Sequence, residues 1–459
     1  MIADTIAAIS TALGRGAIAV VRVSGPESVE IVDRLFSGKE KLSLSRSHSV
    51  RHGRFMDSSG RVLDEVLVAV MRAPDTYTGE DLVEISCHGG SLISRLILET
   101  LVEAGCRLAE PGEFTKRAFL NGRIDLAQAE AVAELVAART REAVEQALLQ
   151  LEGSLSEEIS KVRASVLGVL SEVEARIDFP EDVPEELETG SLTATLERCS
   201  DSIKSVLSER TSATLLGAGA RIPIVGRPNV GKSSLLNAIV GSSRVIVAPG
   251  PGTTRDSIEQ EIELGGFPVT LVDTAGLRSA TEEVEEEGVR RSMEQIKLAD
   301  LVILVVDATC EDYDKDLAIL ETLGQRPCTV AINKIDISAP ERARAVLGPR
   351  ACSDGRAVAE VSAKNGTGIE SLQGNLAGRL KGGEVDPYEK ACAGRRHLDC
   401  LRSSLQNIND AKDALAAGHF VELVAFELRE AVESLDSITG KRVGADILDN
   451  IFSKFCVGK

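Results

Sequence analysis

The segment Gly226-Arg227-Pro228-Asn229-Val230-Gly231-Lys232-Ser233 carries the residue types that hold a polyphosphate. Glycines let backbone N–H groups converge on an anion, and a helix N-terminus and a lysine add positive charge. A serine hydroxyl in the last place is a ligand for the Mg²⁺ that bridges β- and γ-phosphates. The segment follows the apolar run Ile222-Pro223-Ile224-Val225 and precedes the apolar stretch 235–239. Strand, glycine loop and helix together make this pattern a phosphate loop rather than a chance turn. Four more motifs follow in order. Thr253-Thr254-Arg255-Asp256 places a switch threonine where it must reach Mg²⁺ and the γ-phosphate. Asp273-Thr274-Ala275-Gly276 follows Val269-Thr270-Leu271-Val272 and brings the second metal-side carboxylate. Asn333-Lys334-Ile335-Asp336 follows Val330-Ala331-Ile332 and offers a carboxylate to the 1-NH and 2-NH₂ of guanine, a donor pair that adenine lacks. Ser362-Ala363-Lys364 fits a loop that closes over the base. Five motifs in this order read as a guanine-nucleotide-binding domain.

Its catalytic chemistry is less plain. Ras-like switches place a water-orienting glutamine directly after Asp-x-x-Gly, and here Leu277 stands there. Downstream lie Glu282, Glu283, Glu285, Glu286 and Glu287. One of them could position water, or all could be acids favouring the start of a helix through Val289, Met293 and Ile296. The Asn229 amide could ligate a monovalent cation or fill a turn. Gly14-Arg15-Gly16 reads as an anion loop or a plain turn. Cys456, between Phe455 and Val457, reads from its neighbours as a buried hydrophobe.

These groups need scaffolds. Strands are expected at 18–23, 65–71 and 82–88, the last ending in a glycine turn into a helix at 92–97, so that 1–120 form an α+β unit. Leu155, Ile159, Val162, Val166, Val169, Val173 and Ile177 recur at three and four, the pattern of a long amphipathic helix. The acidic, proline-punctuated linker 178–186 follows, and another helix runs through Leu192, Leu196, Ile203 and Leu207. Helical periodicity returns after 398. We therefore expect a multidomain α/β and α chain: 1–120 α+β, 121–215 and 381–459 two halves of a discontinuous helical domain, and 216–380 an inserted Ras-like P-loop domain.

At 459 residues, several domains are expected. The net charge of −19 speaks against indiscriminate nucleic-acid binding but not against a local patch. Arg395-Arg396-His397 and Lys441-Arg442 are candidates for one, or else solvated helix faces. The nine cysteines lack ligand spacing, and no run or leader marks a membrane or secreted protein, so a reducing cytoplasm is expected.

Longer stretches now carry a resemblance. They are Gly14-Arg15-Gly16 with Arg22-Val23-Ser24-Gly25, Tyr77-Thr78-Gly79-Glu80-Asp81 with His88-Gly89-Gly90, the segments 111–121 and 125–131, and Phe455-Cys456-Val457-Gly458-Lys459. With these the chain resembles, end to end, the MnmE (TrmE) family of tRNA-modification GTPases. The resemblance implies an N-terminal tetrahydrofolate-binding, dimerising domain, a helical domain and an inserted G domain. It implies a K⁺-activated GTPase that works with the flavoprotein MnmG in a hetero-oligomer. The pair adds an aminomethyl or carboxymethylaminomethyl group to C5 of the wobble uridine of certain tRNAs. By position it assigns Arg22, Glu84, Arg123 and Lys459 to 5-formyl- or methylene-tetrahydrofolate, and gives Cys456 a functional place of unassigned role. Asn229, Ala248, Gly250 and Thr253 match K⁺ ligands, Ser233 and Thr254 match Mg²⁺ ligands, and Glu285 matches the acid that positions water. Nucleotide contacts are assigned to Asn229, Val230, Gly231, Lys232, Ser233 and Ser234, and to Ala248, Pro249, Gly250, Pro251, Gly252, Thr253 and Thr254. They continue through Asp273, Thr274, Ala275 and Gly276 to Asn333, Lys334, Asp336, Ser362, Ala363 and Lys364. The two prolines of the 248–252 loop depart from the family pattern, and proline fixes φ. A ribosome-assembly switch of the Der or Era type would need a second G domain or a Gly-x-x-Gly RNA module, neither visible. A scaffold that binds GTP without hydrolysis is the third reading that Leu277 leaves open.

Overall fold

The computed structural model describes residues 4–12, 14–178, 189–245, 259–273, 296, 299–324, 326–353, 356–381, 393–417 and 421–459. The chain falls into two compact units, Met1–Ala133 with Thr439–Lys459, and Glu134–Ile438.

The first unit is built on a seven-stranded sheet. Its strands are β1 (Ile6–Ile9), β2 (Ile18–Ser24), β3 (Phe36–Gly38), β4 (Ser49–Met56), β5 (Val62–Met71), β6 (Leu82–His88) and β7 (Arg107–Leu108), in the order β3-β4-β5-β6-β2-β1-β7. Alternation sets the two faces. Val66, Val68 and Val70 are buried with Val21, Val23 and Ile85, against Ile31 and Val32 of helix α1 (Ser28–Leu35) and Ile97 and Leu101 of helix α2 (Ser91–Glu103). The other face leaves Val50 and Leu67 exposed and carries Arg22 and Glu84, which are direct partners across β2 and β6. Only three of these strands are expected from the sequence. β4 reads Ser-Val-Arg-His-Gly-Arg-Phe-Met, too polar for a strand signal, and β1, β3 and β7 are short.

From the far end of the chain, the helix Ala445–Phe452 and the tail after it complete this unit. Phe452 stacks on Phe119 and Phe455, with ring centroids 6.5 and 5.4 Å apart, and Val457 bridges to Pro111. Gly458 has φ +91°, and a Cβ there would lie 2.5 Å from the Ile9 carbonyl oxygen, so no other residue fits without moving β1.

The second unit holds a sheet of β8 (Ala220–Val225), β9 (Arg244–Val245), β10 (Glu259–Leu264), β11 (Phe267–Asp273), β12 (Val302–Asp307), β13 (Cys328–Asn333) and β14 (Ala357–Glu360), in the order β14-β13-β12-β8-β11-β10-β9. The run from β14 to β11 is parallel, and β10 is antiparallel to both neighbours. Strands buried on both faces read as continuous apolar runs, and β12 is buried at every position. One face packs Ile222, Ile224 and Val305 on Leu235, Ile239, Leu372 and Leu376; the other packs Val302 and Leu304 on Leu320 and Leu347.

The helical part of this unit includes α3 (Ser154–Asp178), which coincides with the expected long helix, and α4 (Thr189–Ala218). The helix Ala393–Ala416 packs along α4. Arg163 of α3 pairs with Asp436 at 2.5 Å, which ties in the helix Val421–Thr439. The basic-patch reading of Arg395-Arg396-His397 does not hold. His397 is fully buried, and the Arg396 guanidinium donates to the carbonyls of Ser437 and Ile438. No helix among the described residues is long and apolar enough to cross a membrane.

Candidate nucleotide site and a polar cluster in the first unit

The phosphate loop lies at the C-terminal end of β8, where the parallel sheet also delivers Asp273 from β11, Asp307 from β12 and Asn333 from β13. A crevice at the carboxyl ends of parallel strands is where doubly wound sheets bind ligands. The loop feeds helix α5 (Lys232–Ser242), whose N-cap Gly231 has φ +97°. A side chain at Gly231 would put its Cβ 2.4 Å from Asn333 Nδ2, so glycine is required by both backbone and neighbour. The Lys232 ammonium curls over its own loop, donating to the carbonyls of Gly226 (2.8 Å) and Arg227 (2.7 Å). Ser233 Oγ donates to Asp273 Oδ2 at 2.5 Å. A hydroxyl beside a carboxylate is the oxygen donor set that suits Mg²⁺.

The guanine motif also grips the loop. Asn333 Nδ2 donates to the Val230 carbonyl at 2.9 Å, and its Oδ1 accepts from Ala363 N at 3.0 Å. Lys334 Nζ donates to the Asn229 carbonyl at 2.9 Å and to Asp307 Oδ2 at 2.5 Å. Asn229 and Lys334 both take positive φ, 64° and 65°. Burial pushes the Asp307 carboxyl up, but bonds from Lys334 and Thr309 outweigh it and hold the group below the usual carboxylate range. Asp336, exposed for a base to reach, has Oδ1 bonded by Ser362 Oγ at 2.7 Å. Ser362 in turn accepts from Asn365 N at 3.2 Å. Ser234, in the first turn of the helix Lys232–Ser242, and Lys364 are exposed. Ala248, Pro249, Gly250, Pro251, Gly252, Thr253, Thr254, Thr274, Ala275, Gly276 and Glu285 lie outside the described residues, as does Leu277.

In the first unit, Arg22 Nε and Nη2 donate to Glu84 Oε1 at 2.9 and 2.7 Å, and Nη1 donates to the Gly458 carbonyl at 3.2 Å. The guanidinium lies over Tyr77 (5.4 Å) and Phe114 (5.6 Å). Arg22, Glu84 and the backbone next to Lys459 thus meet at one place. Arg123 Nε donates to the carbonyl of Thr76, the residue before Tyr77, at 3.1 Å. Cys456 is exposed, which corrects the expectation of a buried hydrophobe: Phe455 and Gly458 are the buried residues of the tail. The Gly14–Gly16 loop is pinned to the β6 turn by Gly16 N to Gly89 O (2.9 Å) and Gly89 N to Ala17 O (3.0 Å).

The family model for the MnmE helical domain matches residues 126–456, and that for the GTP-binding protein TrmE N-terminus matches 5–123. The chain belongs to the MnmE family. The curated "tRNA modification GTPase MnmE" of Acetivibrio thermocellus is 40% identical over 458 residues, covering 99% of each chain. Those of Alkaliphilus oremlandii and Geobacillus kaustophilus are 42% and 44% identical, again over 99% of each chain. Among solved structures, the G domain of the T. maritima FeoB iron transporter is similar at 27% identity, over 34% of this chain and 96% of that one, with a TM-score of 0.25. The MnmE helical match encloses the whole nucleotide sheet, so the sheet is carried inside that family region.

Two structural groups escape a motif-based reading of an MnmE chain. Asp307 is one: a single aspartate at a strand end has no spacing signal, and only the fold brings it to Lys334. Arg117 is the other. Fully buried within the 111–121 signature, it bonds Asp4 (2.8 Å), Glu80 (3.1 Å) and Glu113 (3.0 Å). This explains why that stretch needs its charges: they cancel one another out of water.

Proposed function

We propose that this chain is a GTP hydrolase whose cycle serves tRNA modification. One observation carries the reading. In a chain alike over its full length to tRNA modification GTPases, a single crevice gathers Lys232, the Ser233–Asp273 pair, Asn333–Lys334 on the loop backbone and Asp336–Ser362. Lys232 offers charge to the phosphates, Asp336 selects guanine, and Ser233 with Thr254 holds Mg²⁺, which when bound neutralises the phosphate charge. K⁺ is assigned to Asn229, Ala248, Gly250 and Thr253, at the place where an arginine finger would act. Glu285 is the water-positioning acid.

A tetrahydrofolate, carrying a formyl or methylene unit, is assigned to Arg22, Glu84, Arg123 and Lys459. The fit rests on Glu84: both Arg22 bonds fall on Oε1, so Oε2 keeps acceptor capacity among the described residues for the amide and amino donors of a pterin. The open sheet face with Val50 and Leu67 exposed supports pairing of two copies through this unit. The flavoprotein MnmG completes the proposal, the product being an aminomethyl or carboxymethylaminomethyl wobble uridine, made in the cytoplasm. Cys456, exposed beside this cluster, has a role still to be assigned.

Mass spectrometry of tRNA nucleosides from a strain lacking the protein tests the reading. The modified wobble uridine should vanish, and unchanged uridines would overturn it. GTP turnover in KCl should exceed that in NaCl; equal, negligible rates in both would instead favour a scaffold that merely binds GTP.

A further inference from the structure

The charge of this chain is unevenly spread. Against a total of −19, the stretch from Arg34 to Arg54 holds six lysines and arginines, two histidines and one acid, Glu40. It runs from the last turn of α1 through β3 to β4, along the edge of the first unit's sheet. Arg34, Lys39, Lys41, Arg46 and Arg54 are exposed. Glu40 is spent on Arg51 at 3.2 Å. Lys39, Lys41 and Arg46 have no carboxylate partner among the described residues. The bordering Asp33 is engaged by Leu42 N (2.5 Å) and Ser43 Oγ (2.8 Å), and Glu65, opposite Arg54, is engaged by His52 at 2.9 Å. A groove of about 590 Å³ opens beside the strip, its walls formed by Arg34, Lys41, Arg72 and Ser43 together with the acids Glu30 and Asp33.

We propose that this sheet edge binds the phosphate backbone of the RNA substrate. The inference rests on the tRNA reading above and adds the place of contact. Exposed cations interleaved with the hydroxyls of Ser37, Ser43 and Ser47 suit phosphate and sugar oxygens. No phenylalanine, tyrosine or tryptophan is exposed on the strip, and its exposed imidazoles are engaged, His48 by Ser47 and His52 by Glu65, so the contact is to backbone and shape rather than sequence. The acidic remainder of the molecule repels RNA and orients it toward this edge. An acidic protein surface is the competing occupant, and the same experiment separates the two.

The test uses the full-length protein with Lys39→Gln, Lys41→Gln and Arg46→Gln combined, and a second version with glutamate at the three sites. None of these side chains is in the nucleotide crevice, so GTP turnover and thermal unfolding should match the parent. Binding of an unmodified tRNA transcript is titrated between 50 and 200 mM KCl. Three lost phosphate contacts make the slope of log affinity against log salt shallower by about 2 to 3, so the variant loses roughly 15- to 60-fold less affinity than the parent across that range. At low salt the glutamate version binds more weakly than the glutamine one. Unchanged affinity and slope in both variants overturn the proposal while leaving the GTPase reading intact. A parent protein that hydrolyses GTP but does not bind the transcript at all also overturns it. Intact tRNA binding with lost binding to the flavoprotein would assign the edge to a protein partner and refute it.

Discussion

Replacing Asp307 with alanine tests whether the guanine-motif lysine holds the phosphate loop in shape. Asp307 Oδ2 lies 2.5 Å from Lys334 Nζ, and the same nitrogen donates to the Asn229 carbonyl at 2.9 Å. A charge-assisted hydrogen bond contributes ~1.5–3 kcal/mol. Lys334 is partly open to water, so the lower end applies, and the variant's affinity for GTP and GDP should fall about tenfold. Preference for guanine over xanthine should not change, because Asp336 keeps its bond from Ser362. The sign of the pH effect follows from the lowered carboxyl. Its contribution is fully present above the unfolded value and is lost only as pH falls through the folded one. The gap between parent and variant should therefore stay flat from about pH 6 to 9. Equilibrium titration with a fluorescent guanine nucleotide reads both quantities. Parent-like affinity in a variant that unfolds normally would refute the reasoning, as would a gap that closes with rising pH.

Glu285→Ala should leave GTP affinity nearly intact and lower turnover by about 10²- to 10⁴-fold, the range of a positioned acid–base group; a matching loss of affinity in the same titration would count against its role. Asp336→Asn should weaken GTP binding and improve that of a xanthosine nucleotide, read by competition. Arg117→Leu takes from Glu80 its cation and leaves Glu113 and Asp4 with Arg107 alone, and should cost about 3–5 kcal/mol in urea unfolding of the first unit. Burial raises the Glu113 carboxyl, but bonds from Arg107, Glu110 N and Arg117 bring it below its ordinary value. Its contribution is present above the unfolded value and lost as pH falls through the folded one, so the parent should weaken below about pH 4 and the variant should show less of that slope. Gly458→Ala should disturb the Arg22 cluster and reduce wobble-uridine modification without changing GTP turnover in vitro, measured side by side.

The nucleotide motifs are legible because each needs a residue type that nothing else supplies. Gly231 must lack a Cβ beside Asn333, and Ser233 must bring an oxygen to Asp273. Their strand context is legible too, since β8, β11 and β13 are continuous apolar runs. What escapes is set by tertiary packing. β4 is a strand through its neighbours rather than its own polar sequence. Arg396 and His397 look like a surface patch until helix ends close over them. Cys456 lies between two apolar residues, yet its side chain points to solvent while Phe455 packs on Phe452. The polar signature at 111–121 is visible as a motif, but that it hides a buried arginine is a property of the fold.

The strap at Thr439–Lys459 has a consequence for how the protein is made. During synthesis the first sheet leaves the ribosome long before its last pieces exist, because all of 134–438 must be translated in between. Until then Phe119 has no Phe452 to cover it, and Arg22 has no Gly458 carbonyl to hold. The nascent first unit must wait with that flank open, and exposed apolar surface of this kind is where misassembly begins.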